Sequence, residues 1–267
     1  MKSLSPASTL VALCASLFAA HVSAQYTVKI GGAYFDPHAT SSDLTGGVSA
    51  RPLNGHLELQ SGVRLHVQPE ATPTFSIERA LNANWSLELM LGMPPKHDVT
   101  LKVDNPVVSG ANVTHPSNPA LNGAAAATAV AALNTKLANR NDKTIATVRQ
   151  WAPTFFVNYR FLEATSAFRP FVGLGINVTR FKARTSPLGD GLYADGAHPE
   201  ISLSDSIGPA LQIGATYKLN ERWSLNTAVV TAKVDNKLTI KTASGLRQEA
   251  AFRFTPTVWT ASVGYSF

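Results

Sequence analysis

From Trp259 to the C-terminus, every second residue is apolar or aromatic: Trp259, Ala261, Val263, Tyr265 and Phe267. The residues between them, Val258, Thr260, Ser262, Gly264 and Ser266, are mostly small or polar. Successive side chains of a strand point to opposite faces, so this stretch reads as a β-strand with one apolar face and one small, polar face. Few folds give such a strand two suitable surroundings at once. A closed barrel in a bilayer does, with lipid outside and a lumen inside.

The rest of the chain fits that reading. Beyond the first two dozen residues there is no apolar run long enough for a spanning helix, which needs roughly 20 residues, yet the mean hydropathy is close to neutral. Barrel strands hide their membrane character in alternation. The N-terminus has Lys2, an apolar stretch from Leu10 to Ala20, and the small-x-small sequence Val22-Ser23-Ala24. We read residues 1–24 as a cleaved signal peptide and 25–267 as the barrel domain. The only cysteine, Cys14, lies in that leader. A mature chain without cysteine has no disulfide framework, no thiolate zinc site and no cysteine nucleophile. The end of the chain, Tyr265 and Phe267, has the pattern that outer-membrane barrels offer to the barrel assembly machinery, and Phe267 is the expected contact.

An internal echo supports the strand reading. Leu81-Asn82-Ala83-Asn84-Trp85-Ser86-Leu87 recurs as Leu219-Asn220-Glu221-Arg222-Trp223-Ser224-Leu225. Each is a short turn feeding a strand. Trp85 and Trp223 are then expected at equal depth in the inner interfacial belt, with Tyr265 and Phe267 beside them. Reading outward from these turns predicts eight antiparallel strands, at about 26–35, 69–80, 84–93, 147–161, 168–181, 201–219, 222–239 and 248–267. Short inner turns alternate with longer outer connections. The longest, 94–146, is expected to be a loop insertion with a short helix in its alanine-rich stretch from Ala120 to Asn139. That helix is either a lid or a surface insertion, and long surface insertions are thermodynamically mild.

Parity divides the side chains. Leu87, Leu89, Phe155, Val157, Leu174, Ile176, Leu211 and Ile213 are expected toward lipid. Lys29, Glu78, Glu88, Asn158, Arg160, Gln212 and Lys218 are expected inward, where Lys29, Glu78, Glu88, Arg160 and Lys218 would pair as a charge cluster. Eight strands leave just enough room for side chains, so such a cluster blocks the lumen and excludes a wide diffusion pore. Met90 and Phe156, also inward, are apolar where a water channel would be polar.

No catalytic set stands out: there is no zinc-helix motif, phosphate loop or nucleophile elbow. His97 beside Asp98, and His198 near Asp195 and Glu200, are scattered over outer connections. We expect no enzyme activity, no catalytic residues, no metal and no cofactor. The net charge of +6 comes without an aromatic-basic nucleic-acid motif. Arg180, Lys182, Arg184, Lys237, Lys241 and Arg247 near outer connections suit anionic head groups. Outer-membrane lipid and lipopolysaccharide are the expected partners, and nucleic acid is not.

Several stretches together resemble the OmpW family: Phe168-Arg169-Pro170-Phe171-Val172-Gly173-Leu174-Gly175-Ile176-Asn177, Ser204-Asp205-Ser206-Ile207-Gly208, Pro94-Pro95-Lys96-His97, Ala152-Pro153-Thr154 and Gly264-Tyr265-Ser266-Phe267. The resemblance implies a monomeric eight-stranded barrel in the Gram-negative outer membrane. It also implies uptake of small hydrophobic molecules through a narrow apolar lumen, with lateral exit through the wall. Met90 and Ile207 match the family's apolar constriction, where typical members carry leucine and tryptophan. Simple parity aims Ile207 outward, so that match requires a bulge near Gly208-Pro209. The insertion before Ile145 departs from the family. The alternative reading is an interaction barrel whose loops bind lipopolysaccharide, host surfaces or phage without transport. A lipid-modifying barrel enzyme would need a serine, a histidine and a carboxylate converging at the outer rim.

Overall fold

The expected alternation builds a wall that closes on itself. The computed structural model describes residues 26–192 and 198–267, so the leader reading on residues 1–24 lies outside the described residues. Eight strands form the lower barrel: β1 (Tyr26–Asp36), β4 (Glu70–Ala80), β5 (Trp85–Gly92), β8 (Thr154–Arg160), β9 (Phe168–Thr185), β11 (Ser206–Lys218), β12 (Trp223–Ala232) and β15 (Thr257–Ser266). Each pairs antiparallel with its neighbours, and β15 returns to β1 from Thr27↔Ser266 to Asp36↔Thr257. Closure leaves no edge amides facing hydrocarbon, where each unpaired group would cost several kcal/mol.

The outward parity is borne out. Leu174 and Ile176 are 70% and 57% exposed, and Phe155, Val157, Leu211 and Ile213 also face out. The internal echo is a repeated turn. Asn82 Oδ1 accepts from the backbone amides of Asn84 and Trp85, and Asn220 Oδ1 accepts from those of Arg222 and Trp223, all at 2.9 Å. Each tryptophan then meets the tyrosine directly opposite edge-on, Trp85 with Tyr159 and Trp223 with Tyr265, both at 5.0 Å. Phe267 stacks on Tyr26 and Tyr265, completing one side of an aromatic girdle.

Above the lower barrel the wall continues as a second sheet: its segments 45–67 and 96–114 fall where the sequence reading placed connections, while its other strands lie largely within the predicted strands 147–161, 201–219, 222–239 and 248–267. β2 (Thr45–Ser49), β3 (Asn54–Val67), β6 (Lys96–Thr114), β7 (Thr144–Trp151), β10 (Glu200–Leu203), β13 (Val234–Lys241) and β14 (Arg247–Phe254) pair in the order β10-β13-β14-β2-β3-β6-β7-β9. The segment 94–146 is therefore not a loop: 22 of its 53 residues belong to β6 and the start of β7. Bulges hid the pattern. The β3–β6 ladder slips three times, near Gly62 with φ of 80° and across Asp104–Pro106, where Asn105 has φ of 47°. Each slip resets the alternation on which strand reading depends.

The expected helix is present as α1 (Asn122–Ala138). Its buried residues Ala125, Ala129, Leu133 and Leu137 recur every fourth position, a single narrow stripe. The stripe packs on the concave face of the upper sheet with Leu57, Leu101 and Val113. It is thus a packed cover over the outer half of the lumen and not a free surface insertion. A one-turn helix, α2 (Pro187–Asp190), follows β9.

Candidate functional site: the lumen

Inward-facing residues divide the lumen into three levels. The lowest is a hydrogen-bonded ion network. Lys29 Nζ lies 2.8 Å from both Glu78 Oε2 and Glu88 Oε1, with all three side chains at most 5% exposed. Arg160 forms the other ion pair of Glu78. Ser76 donates to Glu88 Oε1 at 2.7 Å, while Asn158 and Gln212 donate to its Oε2 at 2.8 and 3.1 Å. Glu88 thereby accepts four hydrogen bonds, which satisfy both of its buried oxygens. Gly173 makes room for this packing, since a Cβ there would overlap Asn158 Oδ1 and crowd Gln212.

Four of the five residues expected in this cluster are brought together; Lys218 is not. It ends β11 exposed at the lower mouth, where its ammonium donates to the Ala164 carbonyl. It is still paired with Ser224 of β12, but its place at the strand end sets it at the mouth, below the buried cluster. Arg169 was missed by the sequence reading. Its guanidinium is buried and donates to the carbonyls of Ala83 at 2.6 Å and Leu162 at 3.2 Å, tying two inner turns together. Parity with the inward Phe171 was the available signal.

The middle level is apolar. Phe156 is fully buried, and Phe35, Phe171, Val230, Val258 and Met90 pack around it. Lys29 sits 5.9 Å from the Phe171 ring centroid, marking the border with the charges below. Met90 and Phe156 are therefore in the lumen as expected. Ile207 is not: it is 74% exposed on the lipid face. The bulge that would turn it inward is absent, because β9 and β11 pair without a shift from Ser206↔Thr179 to Tyr217↔Phe168.

The upper level is a chamber enclosed by the second sheet and α1. Its cavity volume is about 90 Å³. Its wall is almost wholly apolar, including Val63, Leu101, Leu133, Phe181, Leu238 and Phe252, with Gln150, Thr185, Asn236 and Gln248 as polar exceptions. The alternations Leu57-x-Leu59, His97-x-Val99-x-Leu101 and Leu238-x-Ile240 carried this signal, but the slips in register obscured it. Beside the chamber, His97 is fully buried and donates from Nδ1 to the Gln68 carbonyl at 2.9 Å. Burial pushes its ring below the usual histidine range.

Gln150 also lines a smaller space of about 50 Å³ beneath the chamber, together with Phe35, Met90, Leu91, Gly92 and Ala152. The wall is loosely paired here. The β5–β8 ladder ends at Met90↔Thr154 and the β6–β7 ladder begins at Lys96↔Arg149. Between them lie Pro94, Pro95 and Pro153, none of which has an amide hydrogen to give. Only Gln150 N to Pro95 O, at 3.3 Å, bridges the interval.

A closed eight-stranded wall with a lipid-facing apolar band, an aromatic girdle and a plugged lumen defines a transmembrane β-barrel. The OmpW family profile matches residues 45–267. Outer membrane protein W of Escherichia coli (strain K12) is 35% identical over 135 residues, 49% of this chain and 60% of that protein. Outer membrane protein W of Vibrio cholerae serotype O1 is 35% identical over 115 residues, 43% and 51% of the two chains. The matched stretches thus span a little over half the length of these relatives. The crystal structure of OprG from Pseudomonas aeruginosa superposes with a TM-score of 0.65 at 24% identity, covering 92% of this chain and 97% of that one. AlkL in lipid bilayers gives 0.52 at 16%, covering 100% and 97%. Both share the fold. The chain belongs to the OmpW family, and it resides in the outer membrane of a Gram-negative bacterium.

Proposed function

We propose that this barrel takes up small hydrophobic molecules passively, as a monomer and without bond chemistry, and releases them sideways into the bilayer. The apolar chamber above a charged plug is the observation that carries the reading. An apolar solute gains about 0.8 kcal/mol for each methylene it removes from water, and a slender, mostly apolar space accepts chains or flat rings in preference to bulky polar solutes. Descent is stopped by Phe156 and then by the ion network, whose charges an apolar solute cannot solvate. The proline interval at Met90, Leu91 and Gly92 is the remaining way out, opening at the height of exposed Leu91 and Met93.

Photolabelling tests occupancy of the chamber. An alkane carrying a diazirine, added to the barrel in bilayers, should mark peptides containing Leu133, Phe181 and Leu238, and excess unlabelled alkane should suppress at least nine-tenths of that marking. Labelling confined to the lipid face, at Leu174 and Ile176, would favour the interaction barrel.

A further inference from the structure

Three cations face outward in one row of directly paired positions on the upper sheet: Lys96 on β6 opposes Arg149 on β7, which opposes Lys182 on β9. Their flanking residues Val148, Phe181 and Ala183 line the chamber inside, so the cations themselves point away from it, and all three are exposed. On the same face, Trp151 opposes Arg180 on the membrane side of the row, and Thr147 opposes Arg184 on the far side.

Directly opposed like charges destabilise a sheet. Elsewhere this sheet neutralises them. Arg64 opposes Lys102, yet Arg64 Nε has Asp43 at 2.9 Å and Lys102 has Asp142. Lys241 opposes Arg247, and Arg247 has Glu249 at 2.6 Å. Among the described residues, Lys96, Arg149, Lys182 and Arg184 form no ion pair, and Arg180 alone reaches a carboxylate, Asp205 at 3.3 Å. The one unneutralised row is also the one set just above the lipid-facing band. On β9 the outward residues run Leu174, Ile176, Val178 and then Arg180, Lys182, Arg184, with exposed Trp151 at the change. Four residues rise about 13 Å along the strand, or about 10 Å of height once the strand tilt is counted, which puts Lys182 at head-group height above Val178.

We propose that Lys96, Arg149 and Lys182, flanked by Arg180 and Arg184, bind the phosphorylated sugar head of an outer-leaflet lipopolysaccharide. Its acyl chains then lie along Trp151, Phe155, Leu174 and Ile176. Arg149 supplies the bidentate fork that phosphate favours, and the two lysines flank it as point charges. The site is independent of the uptake reading, since it lies on the opposite face of the wall.

Native mass spectrometry with bisphosphoryl lipid A tests it. The purified barrel should bind at least tenfold more weakly when Lys96→Ser, Arg149→Ser and Lys182→Ser are combined. Combining Arg64→Ser, Lys102→Ser and Arg253→Ser, a comparable charge loss elsewhere on the same sheet, should change binding less than twofold. Both variants should retain the heat-sensitive gel mobility of a folded barrel. Equal weakening by the two triple variants would overturn the site by reducing it to net charge. Unchanged binding by the first variant, or displacement of the lipid by equimolar inorganic pyrophosphate, would also overturn it.

Discussion

Lys29→Met is expected to destabilise the folded barrel by about 3–5 kcal/mol, the range for removing one partner of a buried ion pair. Lys29 is the only cation within 4.0 Å of Glu88 among the described residues, and it shares Glu78 with Arg160. Without it, Glu88 keeps its hydrogen bonds from Ser76, Asn158 and Gln212 but loses its countercharge. Adding Glu88→Gln removes the uncompensated charge and should recover more than half of the loss, the coupling expected of residues in one network. Urea unfolding in detergent, followed by gel mobility, reads both values. A change below 1 kcal/mol in Lys29→Met would mean that water reaches the network and that it is no plug.

The second large effect concerns the wall. Replacing Pro94 with Val, Pro95 with Thr and Pro153 with Val restores three amide donors where the β5–β8 and β6–β7 ladders stop short of each other. We expect the ladders to join and the release of hydrophobic probe into the bilayer to slow at least tenfold, while photolabelling of the chamber persists. Stopped-flow transfer to acceptor vesicles measures the release. Unchanged release with a stapled interval would place the exit elsewhere, for example between the top of β9 and β10, which do not pair.

The lower barrel was legible because its strands keep strict alternation. Trp259 to Phe267 and the two asparagine turns at Asn82 and Asn220 anchored the register, and parity alone placed Lys29, Glu78, Glu88 and Arg160 in one interior. The upper sheet was legible only in part: β7, β10, β13 and β14 fall largely within expected strands, whereas β2, β3 and β6 were read as connections. Gly62 and the Asp104–Pro106 bulge shift the register of β3 and β6, and prolines at positions 69, 94, 95, 153 and 256 interrupt the runs, so extended segments resemble loops. A narrow apolar lumen was expected, but the chamber's lining, which depends on that sheet, went unnamed for the same reason. Ile207 shows the opposite error. Its role followed from resemblance and required a bulge, whereas unbroken pairing with β9 keeps it in lipid, as parity said.

These observations converge on Met90, which floors the space beside the proline interval and separates the apolar levels from the charges. The most direct measurement is solute entry into vesicles whose outer leaflet carries lipopolysaccharide, comparing a small aromatic hydrocarbon with a sugar of similar size, in the wild type and in Met90→Arg. The account predicts hydrocarbon entry well above empty vesicles for the wild type, a fall to the empty-vesicle rate for Met90→Arg, and sugar entry at background in both. Hydrocarbon entry that Met90→Arg leaves unchanged, or that the wild type does not raise, would contradict passage through this lumen.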